Sequence, residues 1–194
     1  MEIIVGKLVL VGDNMDDKTR CHWFDKSNDI LRKYHDEEFG VLNLDDDYLF
    51  EILVLVNFQT GLSWEIMLRK REAFRQAFDG FDVEKISKYD DEKIEELLKN
   101  ENIIRNKKKI NAVVSNAQVF IKIQKEYGSF HDYIETFTKG ETFHERGLTE
   151  SELSRTMVKD LKKKGMKYIG PVTMYSYLQT IGVINSHEED CFLY

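Results

Sequence analysis

The sequence predicts an all-α protein, and three observations support that fold class. Pro171 is the single proline among 194 residues, so little in the chain would break a helix. Long stretches are rich in Leu, Ile, Lys and Glu, which are favourable helix residues. Hydrophobic residues make up 42% and charged residues 32% of the chain, a balance typical of a globular protein with one hydrophobic core.

Hydrophobic periodicity and helix-start residues divide the chain into a series of helices. The clearest pattern runs from Ile110 to Ile121, where apolar residues recur three and four positions apart. The aspartates at 45–47 and Ser63 suit helix N-termini. The segment 139–149 is predicted to be a loop. The predicted helices span residues 26–34, 45–57, 63–79, 82–88, 91–99, 108–126, 129–138, 150–164 and 171–182.

The N-terminal segment has a different pattern from the rest. Residues 2–12 alternate loosely between apolar and small residues, which is compatible with a short strand, a hairpin or an extension without regular structure. No internal repeat, low-complexity segment or linker divides the remainder. We therefore expect an N-terminal extension at 1–19 and a single helical domain at 20–194.

Charge and targeting signals restrict the location and the partners. A net charge of −7 argues against a uniformly basic nucleic-acid-binding surface, although basic clusters at 69–71, 107–109 and 159–167 leave room for a local one. The apolar N-terminus lacks a cationic region and a cleavage site, and no apolar run is long enough to cross a membrane. We expect a cytoplasmic protein without a membrane partner.

Two cysteines and two histidines form a candidate metal site. His187 and Cys191 are four positions apart, and Cys21 and His35 are fourteen apart near the other end of the chain. Thiolate and imidazole ligands together suit zinc, and four protein ligands make a closed, structural site. From these residues alone, a chance occurrence and a disulfide between the two cysteines both remain open.

Six segments follow one another in an order that is specific to a known family. They are RCHW at 20–23, YHDEEFG at 34–40, QTGLSWEIMLRKREAF at 59–74, FDVEKI at 81–86, IIRNKKKINAVVSNAQ at 103–118 and LKKKGMKYIGPVTMYSYLQTIGVINSH at 161–187. Together they resemble the DNA-3-methyladenine glycosylase I family over residues 20–192. The resemblance implies a helix-hairpin-helix DNA glycosylase fold. It also implies a structural zinc that joins the two ends of the domain through Cys21, His35, His187 and Cys191.

The resemblance places a DNA-binding hairpin between the last two predicted helices. Gly165 and Gly170 permit a tight turn there, and Pro171 suits the first position of the following helix. The N–H groups at that helix start can bind a DNA phosphate, with Lys164 and Lys167 adding positive charge. Without the resemblance, an ordinary helical hairpin with solvated lysines would be preferred. The implied partner is double-stranded DNA with an alkylated base, bound by a monomer.

The family's activity is hydrolysis of the N-glycosidic bond of an alkylated purine, 3-methyladenine, after the base has been flipped out of the duplex. The resemblance places Tyr34 and Trp64 on the faces of the base, with Trp23 and Phe39 nearby. Electron-rich rings attract a cationic purine more than a neutral one. Water is the expected nucleophile, without strand-cleaving lyase activity.

The chain departs from the family pattern in the same region. Val56 occupies the position of the family's pocket glutamate, Phe39 replaces a tryptophan, and Thr60 replaces an alanine. The catalytic residue is therefore unknown. The departure leaves two alternatives open: a weakened or inactive zinc-containing module that binds nucleic acid, or a glycosylase for a different lesion.

Overall fold

The computed structural model describes residues 18–194 and confirms the mostly helical prediction. The predicted strand or hairpin at 2–12 lies outside the described residues. The helices are α1 (Asp29–Glu37), α2 (Asp46–Gln59), α3 (Trp64–Ala77), α4 (Val83–Ile86), α5 (Asp91–Lys99), α6 (Lys107–Tyr127), α7 (Phe130–Thr138), α8 (Glu152–Lys164) and α9 (Pro171–Thr180). None of these helices combines the length and apolar character that a membrane span requires.

Side-chain caps determine where most of these helices begin. At α2, the Asp45 carboxylate accepts the Tyr48 N–H at 3.1 Å, as the run of aspartates predicts. Helices α1 to α8 all begin in this way, each after an Asn, Asp or Ser residue. The exception is α9, which follows Gly170 without a side-chain cap and has Pro171 in its first turn. Its first N–H groups are therefore not engaged by a capping side chain.

Helix α2 is the centre of the core. Every residue from Leu49 to Phe58 is buried, and α2 packs against α3, α6, α7 and α9. A helix enclosed on all sides is apolar all round, which the LVLV run at 53–56 provides. One charged side chain, Glu51, is buried on it and accepts hydrogen bonds from Arg71 and Arg75 of α3. This pairing fixes α3 against α2.

Three details differ from the predicted elements. Helix α1 lies further toward the C-terminus than the helix predicted at 26–34, so it includes His35 as well as Tyr34. Helix α3 ends at Ala77, and the chain turns through a 3-10 segment in which Gly80 has φ 72°. The predicted loop at 139–149 contains β1 (Phe143–His144), which pairs in parallel with β2 (Ile184–Asn185). A strand of two residues is too short to produce a periodic signal in sequence.

The hairpin between α8 and α9 is held from a third helix. Helix α8 ends at Lys164, and Gly165 follows with φ 104°, a conformation that glycine adopts without strain. The Asn116 side chain of α6 accepts the Lys167 N–H at 2.8 Å and donates to the Lys167 carbonyl at 2.9 Å. Met166 and Ile169 are buried beneath the turn. The hairpin is therefore part of the packed body of the protein.

Candidate functional site

The structure brings the four candidate metal ligands into one buried cluster. The Sγ atom of Cys21 lies 3.3 Å from His187 Nδ1, and Cys191 Sγ lies 3.4 Å from both His35 Nε2 and His187 Nδ1. Tetrahedral zinc with two sulfur and two nitrogen ligands has S···N separations of about 3.5 Å. The donor types and their spacing fit a metal ion held by protein ligands alone.

Each imidazole of this Cys/His cluster is oriented by its second ring nitrogen. His35 Nδ1 lies 2.8 Å from the Asp36 carboxylate, and His187 Nε2 lies 2.8 Å from the Phe39 carbonyl. When these nitrogens carry the protons, the lone pairs of His35 Nε2 and His187 Nδ1 point into the cluster. Burial lowers the pKa of both rings, which favours the neutral form that binds metals.

Neighbouring groups complete the environment of the Cys/His cluster. Burial raises the pKa of the Cys21 thiol to about 11, so a proton has to leave when a metal binds. Burial opposes ionisation of Asp36, but hydrogen bonds from Arg20 and His35 outweigh it and hold the pKa of Asp36 below its ordinary value. Asp36 therefore remains an acceptor for the His35 ring.

Gly40 leaves the space that the His187 ring occupies. Its φ is 71°, and a Cβ atom built there would lie 2.9 Å from His187 Cδ2. Only glycine meets both conditions without displacing the ring. At the other side of the cluster, the Phe192 N–H donates to the Thr19 carbonyl at 2.9 Å. The two ends of the helical body therefore meet at the Cys/His cluster.

An aromatic cavity lies beside the Cys/His cluster. It has a volume of about 400 Å³, and four rings form one part of its wall: Trp23, Tyr34, Phe39 and Trp64. The Tyr34 ring centroid lies 5.7 Å from that of Trp64, and the Trp23 centroid lies 5.3 Å from that of Phe39. Because Tyr34 and His35 are consecutive on α1, one helix serves the aromatic cavity and the Cys/His cluster on different faces.

Polar side chains from α2, α9 and the loops form the other part of the wall: Gln59, Arg146, Ser176, Gln179, Thr180, Ser186 and Glu188. The Tyr34 hydroxyl lies 2.9 Å from Thr180 Oγ1, which itself donates to the Ser176 carbonyl. Burial raises the pKa of Tyr34, so its hydroxyl stays protonated and donates to Thr180. The ring of Tyr34 is thereby fixed in orientation.

The sequence and the fold have counterparts among known proteins. The methyladenine glycosylase profile matches residues 23–194. The chain belongs to the methyladenine glycosylase family. DNA-3-methyladenine glycosylase of Haemophilus influenzae is 36% identical to it, over 89% of this chain and 96% of that protein. DNA-3-methyladenine glycosylase 1 of Escherichia coli is 34% identical, over 90% of this chain and 96% of that protein.

Solved structures of the methyladenine glycosylase family have the same fold. A crystal structure of 3-methyladenine DNA glycosylase I matches with a TM-score of 0.85 at 36% identity, covering 90% of this chain and 98% of that one. A variant of such an enzyme in complex with 3-methyladenine matches with a TM-score of 0.86 at 32% identity, covering 90% and 96%.

The fifth predicted pocket residue of this family member lies apart from the other four. Val56 is 1% exposed and lines a separate, smaller cavity of about 270 Å³ together with Thr60 and Val172. Gln59 and Ser176 line both cavities, so the cavity at Val56 adjoins the aromatic cavity. Its isopropyl group offers no polar atom to either of them.

The two hairpin lysines of this family member differ in their surroundings. Lys167 is exposed, whereas the Lys164 ammonium forms an ion pair with Glu126 at 3.0 Å and lies over the Tyr127 ring. Gly165 and Gly170 flank the turn as predicted. A role in DNA contact stays a prediction for all four residues.

Sequence reasoning missed two charged residues at the aromatic cavity. Glu188 accepts the backbone N–H of His22 at 2.9 Å and contacts His22 Nδ1 at 2.5 Å, and these bonds hold the pKa of Glu188 below its ordinary value. Arg146 comes from the segment predicted as a loop and pairs with Glu189. In the sequence, a role for Glu188 was indicated only by its position directly after the candidate metal ligand His187.

Proposed function

We propose that this chain is a base-excision repair glycosylase that hydrolyses the N-glycosidic bond of an alkylated purine in DNA, with 3-methyladenine as the substrate. The observation that carries the proposal is the aromatic cavity, which has the size and the ring-lined wall that a flipped purine needs. Membership of the methyladenine glycosylase family and the names of both relatives support the same reaction.

Hydrolysis of the glycosidic bond of a 3-methyladenine nucleotide needs little acid catalysis. A 3-methyladenine nucleotide carries a positive charge on its base, which weakens the glycosidic bond and makes the neutral base a good leaving group. Rings such as Tyr34 and Trp64 stabilise the bound cation by stacking and by cation–π attraction, each worth about 0.5–2 kcal/mol. Among the described residues around the aromatic cavity there is no lysine, which favours water as the nucleophile over a Schiff-base mechanism.

The Cys/His cluster is proposed to hold a structural zinc ion. Cys21, His35, His187 and Cys191 supply four soft or borderline ligands, all of them buried. No coordination position remains for a water or a substrate, so the ion would join the two ends of the domain and supply no reactant. The reacting centre is then the aromatic cavity alone.

The remaining assignments follow from the same reaction. The partner is double-stranded DNA with an alkylated base, approached through the hairpin between α8 and α9. The exposed Lys167 and the uncapped start of α9 after Gly170 support a phosphate contact there. We take residues 20–194 as one domain that acts as a monomer in the cytoplasm.

A second candidate is a weakened or altered glycosylase, and Val56 is the observation that favours it. The family resemblance puts a carboxylate at this position, where a valine can neither accept a hydrogen bond nor balance a positive charge. Losing one charge-assisted hydrogen bond costs about 1.5–3 kcal/mol, or roughly ten- to a hundredfold in rate.

Release of bases from methylated duplex DNA separates the two candidates. We expect the wild-type protein to release 3-methyladenine, and Val56→Glu to raise the rate if the second candidate holds. Val56→Gln is the matched control, because it adds a polar group of similar size without the charge. Thermal unfolding identifies any loss of folded protein caused by a buried charge. Rates typical of the family that do not respond to Val56→Glu would rule out the second candidate, and no base release by either protein would overturn the proposed function.

A further inference from the structure

We propose that Glu188 is the residue through which the aromatic cavity favours a cationic base over a neutral one. This inference rests on the proposed function, because it assumes that the cavity holds a purine. Among the described residues that line the aromatic cavity, Glu188 is the one acid. It comes from the C-terminal segment, outside the helices that carry Tyr34 and Trp64.

The carboxylate of Glu188 is fixed in place from two directions. Its Oε2 atom accepts the backbone N–H of His22 at 2.9 Å and lies 2.5 Å from His22 Nδ1. Its own backbone N–H donates to Cys21 Sγ at 3.3 Å. Both hydrogen bonds of the carboxylate are made by Oε2, which leaves Oε1 able to accept another donor. A negative charge that is already oriented loses little entropy when a ligand binds.

Other charges near the aromatic cavity are balanced by their own partners. Arg146, the one cation among the described lining residues, forms an ion pair with Glu189 and lies 5.5 Å from the centroid of the Tyr194 ring. Glu38 follows α1 but is held by Arg71 at 2.7 Å and lines a different cavity. Glu188 is paired with His22, which is a cation only when it is protonated, so beside a neutral His22 the negative charge of Glu188 can reach a bound base.

The solvent exposure of Glu188 limits how strongly its charge can favour a cationic base. Glu188 has a side-chain exposure of 33%, so solvent screens its charge. At a separation of several ångströms in a partly solvated cavity, an ion pair changes an affinity by about three- to tenfold. The aromatic rings add an attraction for the same cation that does not depend on this residue.

Equilibrium binding of two free bases tests the inference on the full chain. The probes are 3,9-dimethyladeninium, which carries a fixed positive charge, and 9-methyladenine, which is neutral and has nearly the same shape. We expect the wild-type protein to prefer the cation, and Glu188→Gln to weaken cation binding by about three- to tenfold while binding of the neutral base changes by less than about twofold. Glu188→Asp keeps the charge and should keep most of the preference.

The control is Glu141→Gln, which makes the same charge change at an exposed residue outside the aromatic cavity. It should leave the preference unchanged. The inference is overturned if Glu188→Gln retains the wild-type preference, if both bases weaken equally, or if Glu141→Gln has the same effect. A wild-type protein that shows no preference overturns the inference alone, and one that binds neither base overturns the proposed function together with the inference.

Discussion

The Cys/His cluster and the aromatic cavity share helix α1 but are built in opposite ways. All four Cys and His residues of the cluster are buried, and the second nitrogen of each imidazole has a partner. The aromatic cavity is open to solvent, with Trp23 45% exposed, and polar side chains form one part of its wall. The cluster is closed to solvent, whereas the cavity has room for a molecule from outside.

This contrast separates the scaffold from the chemistry. His35 contributes to the cluster, and its neighbour Tyr34 contributes to the aromatic cavity. Substitutions at the cavity can therefore change what is bound while the cluster and the fold remain intact. Phe39 is a departure of this kind from the family pattern, since it lines the aromatic cavity in a chain whose four Cys and His residues lie together.

The largest expected effect comes from breaking the cluster. Cys191→Ser removes one soft ligand from a buried site, so we expect the metal content to fall from about one ion per chain to a small fraction. The free energy of unfolding should fall by at least about 3 kcal/mol. Elemental analysis and urea unfolding measure both. His22→Gln, next to the cluster but outside its ligand set, should retain the metal. Full metal retention by Cys191→Ser would contradict the assignment.

A smaller effect, confined to function, is expected at the aromatic cavity. Trp64→Ala removes one ring face, and stacking of a base on an aromatic side chain contributes about 1–3 kcal/mol. We therefore expect the single-turnover rate of base release to fall about ten- to a hundredfold, with the metal content unchanged. Trp64→Phe keeps a ring and should lose less. Equal losses for the two variants would argue against stacking at this position.

The smallest effect is expected at the hairpin, where two lysines can be compared. Lys167→Ala should reduce the salt dependence of DNA binding by about one unit of slope, because an exposed lysine at the turn can neutralise a phosphate. Lys164→Ala should change the slope less, since its ammonium is engaged by Glu126. Fluorescence anisotropy at several salt concentrations measures both slopes. A larger change for Lys164→Ala would place the DNA contact on the other side of the turn.

The helices were predictable because local chemistry determines them. Helix caps such as Asp45 and Ser63 bind backbone groups only a few residues away. The apolar period of α6 likewise repeats every three or four residues. The pairing of β1 with β2 joins segments about forty residues apart and depends on tertiary packing, which no local pattern records. The predicted helix at 63–79 was too long because Phe78 leaves the helical conformation and Asp79 follows with φ 50°.

The candidate site was predictable only where residue type restricts its role. Cys and His at two ends of a chain have few common functions, and the family resemblance selects among them. Glu188 and Arg146 are common surface residue types, and their place at the aromatic cavity depends on how the C-terminal segment and the loop after α7 are positioned. Val56 shows the reverse case: the resemblance assigns it to the pocket, whereas the structure has it lining the adjacent cavity.

The position of the ligands along the chain has a consequence for the order of events in folding. Cys21 and His187 are separated by 166 positions, so a metal can find four ligands only after the helices between them have assembled. The two ligands at one end of the chain form only half of the site, so they would bind a metal weakly by themselves. Closing a loop of this length in an unfolded chain costs about 5 kcal/mol of entropy, which a folded body has already overcome. The proposed zinc ion would therefore be captured late in folding. Its release would require only the detachment of one end of the chain, so exchange of the ion would be faster than global unfolding.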